Sequence, residues 1–529
     1  MDDKDFCSPS IGEIIRAIFN STGLLPTKGH NAFLSESEKK SLQMQLKRLA
    51  DENSKIDGKL NELLLCLQSM LQKVLIEDRL VCVFMAAVDE LLMVYKYSLR
   101  QEGTYLSKRD SIKYLIATSL CSRLVISFAK NFLVYNVPSL KLPMPLVQQW
   151  ILPLPSSKGL VRWPLALVWE HIYMTLNMSQ SAFHNPRGAN GDYRERQHLE
   201  NAQRWCNGNQ LPSVDSLLAN FDNSVSLHMD GHFELTDKQK NSFKLMLFMA
   251  RVSTYFFQAL QKHFGTAFLW ETTNYIRKFS RRVCRFTNPV WQSACQEFAA
   301  LTKGERALPS AQDHFFYNYI TYSWQDYAMV TDQSCQYFKQ LELEGALEHL
   351  EGKAKYRLYL DVFGPINSYM CLDQQRVNAK IIPPAQFLQM FSKGMQLKNS
   401  IQDLGQAEEF EKELKKTKQW SSLAWLSSWC FANYYYRQGN NVKAYQHYKD
   451  AFTNAKYRAG SNQYKLVNQY IEACAKHNQY AEMKKGVAWA NYMGFEVRWL
   501  RGFDNPESEE TLRGLFELFA MDKMRYANL

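Results

Sequence analysis

The feature that most constrains the fold is a heptad pattern in residues 37–77. Apolar residues recur there at alternating spacings of four and three, which keeps one face of an α-helix apolar. The positions on this seam are Leu42, Leu46, Leu49, Asn53, Ile56, Leu60, Leu63, Leu67, Met70 and Val74. Asn53 is a polar residue of the kind that fixes register in a coiled coil, whereas Gly58 lowers helix propensity within the run. Two interpretations stay open: a long helix packed within its own domain, and a coiled coil that joins two copies of the chain.

Helical patterns in every part of the chain predict an all-α protein. A chain of 529 residues is too long for one hydrophobic core, so we expect several domains. Strand-like alternation is scarce. The predicted helices beyond the heptad segment include 78–100, 109–136, 165–180, 193–206, 212–220, 236–264, 267–285, 288–302 and 311–343.

Proline supplies the clearest domain boundary. The stretch "VPSLKLPMPLVQQWILPLPSSKGLVRWP" contains six prolines, which end helices and favour extended or turn geometry. The prediction is therefore a helical domain at 1–137 that contains the heptad segment, a linker at 138–164, a central helical domain at 165–360 and a C-terminal helical domain at 385–529.

Charge, cysteine usage and hydropathy indicate the cellular compartment and the kind of partner. The formal net charge of +11 is compatible with an anionic partner. The 11 cysteines are scattered and never form C-x-x-C, which indicates a reducing compartment. The start "MDDKDFCSPS" lacks the pattern of a secretory signal, and no run of eighteen apolar residues occurs, so we expect a cytoplasmic protein that does not enter the membrane.

Catalytic motifs are not found in the sequence. It contains no phosphate-binding loop, no dinucleotide fingerprint, no H-E-x-x-H and no G-x-S-x-G. We therefore assign no catalytic residue, no metal ligand and no cofactor. Because active sites are also assembled from distant residues, a cryptic nuclease-like enzyme is kept as an alternative.

The stretch "RWCNGNQLPSVDSLLANF" predicts that a helix ends at Gly208 and that another begins near Ser213. With Trp205, Gly208, Pro212 and Ser213, this stretch resembles the recognition helix and following turn of phage-repressor-type helix-turn-helix proteins. The resemblance implies that Gln203, Arg204 and Asn209 contact nucleic acid. The alternative is two core helices joined by a glycine-containing turn, with Trp205 packed in the core.

A basic stripe is expected on a helix in "NYIRKFSRRVCRFTNPVW". Helical spacing places five cations on one continuous strip, and phosphate groups are the usual partners of such a strip. These residues are Arg277, Lys278, Arg281, Arg282 and Arg285. The alternative is a solvated face without a ligand.

The C-terminal region contains a repeat-like pattern. In "WLSSWCFANYYYRQGNNVKAYQHYKDAFTNAKY" small and aromatic residues follow the order of a tetratricopeptide repeat, and a weaker copy follows about 39 residues later. The resemblance implies a short solenoid of helical hairpins, whose first-helix residues bind a partner peptide. Those residues are Leu426, Trp429, Asn433 and Tyr436. Alternatively, the hairpins only support the remainder of the protein.

These patterns together predict a non-enzymatic cytosolic adaptor or regulator. In this hypothesis the central domain binds nucleic acid and the C-terminal repeats bind a protein, with a homodimer through 37–77 as a further option. A protein-interaction scaffold without nucleic-acid binding is the alternative.

Overall fold

The computed structural model describes residues 8–24, 35–50, 56–75, 78–101, 107–116, 151–156, 160–228, 235–303, 315, 319, 385–503 and 508–527. Within these ranges the protein is helical, apart from a short antiparallel ribbon of β1 (Leu154–Pro155) and β2 (Val161–Arg162). The all-α prediction is confirmed for the described residues. Most of the predicted helices 311–343 and 109–136 lies outside them.

The helices follow one another in chain order. They are α1 (Ile11–Thr22), α2 (Glu36–Ala50), α3 (Ile56–Val74), α4 (Asp78–Gln101), α5 (Lys108–Leu115), α6 (Pro164–Thr175), α7 (Gln180–His184), α8 (Tyr193–Cys206), α9 (Val214–Ser226), α10 (Asp237–Thr302), α11 (Ala385–Ser400), α12 (Leu404–Lys416), α13 (Trp420–Arg437), α14 (Asn441–Ala455), α15 (Gln463–Lys476), α16 (Tyr480–Met493) and α17 (Glu509–Ala527). None of the described helices is long and apolar enough to cross a membrane.

The heptad seam lies on α2 and α3 and faces the interior. Every seam residue that the structure describes is buried, and Asn53 lies outside the described residues. Helix α2 packs against α1 and α3, and α3 also contacts α4 and α16. The seam is therefore covered by other helices of the same chain, as the first of the two interpretations requires.

Helix α10 differs from the three helices expected at 236–302. Gly265 has φ 85° and ψ 170°, so the expected break between 264 and 267 is confirmed as a kink. The expected break before 288 is wrong, because the helix continues through Pro289. A proline removes one backbone hydrogen bond, but its fixed φ is itself helical, so the helix need not end there.

The C-terminal helices α11 to α16 form a succession of hairpins. Turns of a few residues join α13 to α14 and α15 to α16, and each helix packs against the next. Gly439 ends α13 with φ 72°, the left-handed conformation that glycine adopts without strain. The side chain of Asn440 then caps α14 by accepting a hydrogen bond from Lys443 N.

The two ends of the chain pack against each other. The amide of Gln463 donates from Nε2 to the carbonyl of Leu99 across 3.1 Å, and Ser8 N donates to Tyr457 O. Nζ of Lys96 lies 4.9 Å from the centroid of the Tyr492 ring. One apolar cluster joins the buried residues of α1 to α4 with those of α11 to α17. The predicted boundaries at 137 and 385 remain predictions, but the regions that they separate are in direct contact.

Candidate partner-binding face

The predicted partner-binding residues lie on α13, the central helix of one side of the C-terminal array. Side chains from α11, α13 and α15 meet on this side, which we call the first-helix face. Its polar and aromatic members are Lys398, Trp429, Asn433, Tyr436, Gln469, Glu472 and Lys476.

Two of the four predicted residues are fully buried. Leu426 packs against Gly394 of α11 so closely that a Cβ on this glycine would lie 2.5 Å from Leu426 Cδ2. Trp429 lies between α11 and α15, and its Nε1 donates to Gln469 Oε1 across 2.6 Å. Both side chains therefore hold helices together in this arrangement, and their contact with a partner stays a prediction.

Asn433 connects three helices. Its Nδ2 donates to the carbonyl of Lys398 across 3.0 Å, and its Oδ1 accepts a 2.7 Å hydrogen bond from the Tyr448 hydroxyl. Burial raises the pKa of Tyr448, which keeps the hydroxyl protonated as the donor. Asn433 is only half-buried, so its amide is both a structural link and part of the surface.

Tyr436 is the most exposed of the predicted residues, with 38% of its surface accessible. Its hydroxyl donates to Glu472 Oε1 across 3.0 Å and accepts a 2.8 Å hydrogen bond from Lys476 Nζ. The same Lys476 Nζ lies 2.6 Å from Glu472 Oε1. This network fixes the direction of the Tyr436 ring at the surface.

Lys398 joins the face from α11, a helix outside the repeat-like pattern. Only 3% of its surface is exposed, and its Nζ lies 3.8 Å from the centroid of the Trp429 ring. Burial, together with the charge of Lys465, lowers the pKa of Lys398 to about 8. The described part of the chain places no carboxylate in an ion pair with Lys398.

Sequence reasoning did not identify Lys398, Gln469, Glu472 or Lys476. The signal that could have found the last three is the repeat period. Gln469 lies 40 positions after its partner Trp429, and Glu472 lies 36 positions after Tyr436. The positions of α15 that are equivalent to the predicted positions of α13 were therefore candidates for the same face.

The central stretch has the helix boundaries that the sequence predicts: α8 ends at Cys206, and Ser213 caps α9. Gln203, Arg204 and Asn209 are all exposed at this end of α8, where Asn209 N donates to Arg204 O. Arg204 Nη2 also lies 3.2 Å from Glu200 Oε2 in an exposed ion pair.

The turn after α8 is attached to α10. Gln258 Nε2 donates to Gly208 O across 3.1 Å, and Arg251 Nε donates to Pro212 O across 2.9 Å. Trp205 is buried in the central core. These contacts favour the interpretation of two core helices joined by a glycine-containing turn.

The basic stripe is described only at its first residue. Arg277 Nη1 donates to Asn274 Oδ1 across 3.0 Å, and its Nη2 donates to the carbonyl of Pro153. The backbone of Lys278, Arg281, Arg282 and Arg285 is helical, but their side chains lie outside the described residues. Their role stays a prediction.

The central core contains a buried imidazole. His184 is fully buried, and its two ring nitrogens lie 2.8 Å from the hydroxyls of Tyr173 and Ser224. Burial, together with the neighbouring His198 and His228, lowers the pKa of His184 to about 3. Aromatic rings surround this imidazole, so we interpret it as a core hydrogen-bond network. Among the described residues there is no cluster of three or more metal-ligating side chains.

Comparisons with known proteins give no relative. No family model matches the sequence, no curated protein matches it, and no solved structure matches the fold.

Proposed function

We propose that this protein is a scaffold that binds a protein partner through the first-helix face of a tetratricopeptide-like array. The observation that carries the proposal is the convergence of polar and aromatic side chains from α11, α13 and α15 on one face. Helical hairpins in succession commonly present such extended binding surfaces.

The side chains of the face are ordered before any partner binds. Glu472 and Lys476 hold the Tyr436 hydroxyl, while the Lys398 carbonyl and Tyr448 hold Asn433. Side chains that are already fixed lose less conformational entropy on binding. Tyrosine and tryptophan are also enriched at protein interfaces.

Site-specific photo-crosslinking tests the proposal. A benzophenone amino acid replaces Tyr436 in the full-length protein, and the control carries it at Val442, which is 51% exposed on α14. In cells that produce the protein we expect a discrete crosslinked species from position 436 and none from 442. Equal crosslinking at both positions, or none at 436, would contradict the proposal.

Coupling to nucleic acid is a second candidate function. It is favoured by Gln203, Arg204 and Asn209, which are exposed together at one end of α8. In that case Arg204→Ala should weaken binding to a preferred duplex by about 1–3 kcal/mol and binding to other sequences little. If Arg204→Ala binds every tested duplex as the wild type does, coupling to nucleic acid is contradicted and only the scaffold function remains.

A further inference from the structure

Lys398 is almost fully buried, and its ammonium group has no counter-ion among the residues that the structure describes. A lysine is almost never fully buried unless it is paired, because desolvation of the charge costs several kcal/mol. In the described part of the chain the compensation for Lys398 is the face of the Trp429 ring, 3.8 Å from Nζ. A cation–π contact recovers only part of this cost, so the charge is left under-compensated.

The surroundings of Lys398 are also cationic. After burial, the largest effect on its pKa comes from a second cation, Lys465 of α15. Residues 385–503 contain 17 lysines and arginines against 9 aspartates and glutamates, so the array has an excess of positive charge. This excess attracts an anionic partner.

Gln469 adds a hydrogen-bond donor beside these cations. Its Oε1 is occupied by the Trp429 indole, while its amide Nε2 has no acceptor among the described residues. The Lys398 ammonium group and the Gln469 amide donor therefore both lie beside Trp429, and the charge of Lys465 on the same helix as Gln469 acts on Lys398. A carboxylate accepts hydrogen bonds from several such donors at once.

We propose that the first-helix face binds an acidic segment of its partner, with one carboxylate held by Lys398, Lys465 and Gln469 beside Trp429. This inference rests on the proposed function and gives the partner its chemistry. The carboxylate supplies the counter-ion that Lys398 lacks within the described ranges, and residues such as Tyr436 contact the rest of the segment.

A peptide array tests the inference with the full-length protein. The array carries decapeptides of varied sequence, each printed once with Asp and Glu and once with Asn and Gln in their place. The variant is Lys398→Met, which retains the apolar stem and removes the charge. The control is Lys412→Met, which makes the same change at an exposed position of α12.

For the wild type we expect acidic peptides to bind at least tenfold more tightly than their amide counterparts. Lys398→Met should abolish this difference and Lys412→Met should retain it, while both variants keep the wild-type circular dichroism spectrum. Equal binding of the two peptide sets by the wild type would overturn the inference, as would an unchanged preference in Lys398→Met or the absence of binding.

The controls separate this inference from the proposed function. One outcome is specific crosslinking at position 436 with equal binding of acidic and amide peptides. This result would support the scaffold function and contradict the acidic segment of the partner. A single-stranded oligonucleotide is tested in the same way. If it binds more tightly than any peptide and Lys398→Met abolishes this binding, the site belongs to nucleic acid and the inference is also overturned.

Discussion

Lys398 Nζ lies 3.8 Å from the centre of the Trp429 ring, and the carbonyl of the same lysine accepts a hydrogen bond from Asn433. One residue of α11 is thus attached to α13 at both its backbone and its side chain. The backbone contact stabilises the fold, whereas the buried charge opposes it.

The pKa of Lys398 predicts how this charge affects stability. The pKa is about 8 in the folded protein and 10.5 in the unfolded chain, so below pH 8 the charge destabilises the fold. Stability should rise as pH increases from 8 to 10.5. We expect Lys398→Met to be more stable than the wild type at pH 7, by on the order of 2 kcal/mol, with the difference shrinking by pH 10.

Urea denaturation of both proteins across this pH range measures the effect. Other lysines, tyrosines and cysteines cancel in the comparison because both proteins contain them. Around Lys398 the other titratable groups are Lys465, a cation, and Cys430, a thiol whose pKa burial raises to about 12. A difference that does not change with pH would show that Lys398 is not buried as described.

Gly394→Ala should destabilise the array. The added Cβ would lie 2.5 Å from both Leu426 Cδ2 and Phe410 Cζ, which forces α11 away from its neighbours and costs about 1–3 kcal/mol. The matched control is Gly514→Ala in α17, where a Cβ meets no atom within 4 Å. There we expect a gain of about 0.5–1 kcal/mol from helix propensity. Thermal denaturation of the two variants should show shifts of opposite sign.

Asn433→Ala should cost about 1–3 kcal/mol, because it leaves the Tyr448 hydroxyl and the Lys398 carbonyl without their partner. Tyr448→Phe removes only one of these hydrogen bonds and should cost less. The double variant should be less destabilised than the sum of the two, since the shared bond is lost only once. Additive effects in chemical denaturation would mean that the two side chains do not interact.

His184 should make the fold acid-sensitive. Its pKa is lowered from 6.5 to about 3 on folding, so the folded state disfavours the protonated ring. Its contribution to stability is complete above pH 6.5 and is lost as pH falls from 6.5 towards 3. Between pH 7.5 and 5 we expect the wild type to lose about 2 kcal/mol more than His184→Gln. Guanidinium denaturation at both pH values measures these losses. If the wild type and His184→Gln lose the same free energy of unfolding, the acid sensitivity comes from other groups.

Much of the fold could be predicted from the sequence because the residues that start and end helices act locally. Helix α8 occupies the predicted range, since Gly208 and Ser213 are strong end and start signals. The seam on α2 and α3 is buried as its period requires. Pro289 is not such a signal, because α10 continues through it and a proline does not always end a helix.

The candidate face was harder to predict because it depends on packing between helices. Asn433 and Tyr436 were identified from one repeat-like pattern, but Lys398 has no neighbour in sequence that reveals its burial. It becomes buried only when α11 packs against α13, whose Trp429 contacts its Nζ. A single sequence contains no local signal for such a contact.

The contact between Gln463 and the Leu99 carbonyl spans 364 positions of the chain. Helix α4 therefore cannot complete its packing until α15 has been synthesised. At roughly 5–20 residues per second, this interval lasts about 20–70 s on the ribosome. During that time the part of α4 that packs against the turn at Gly460–Asn462 and the start of α15 is without its final partner, so nascent chains of this protein should depend on chaperones that shield apolar surface.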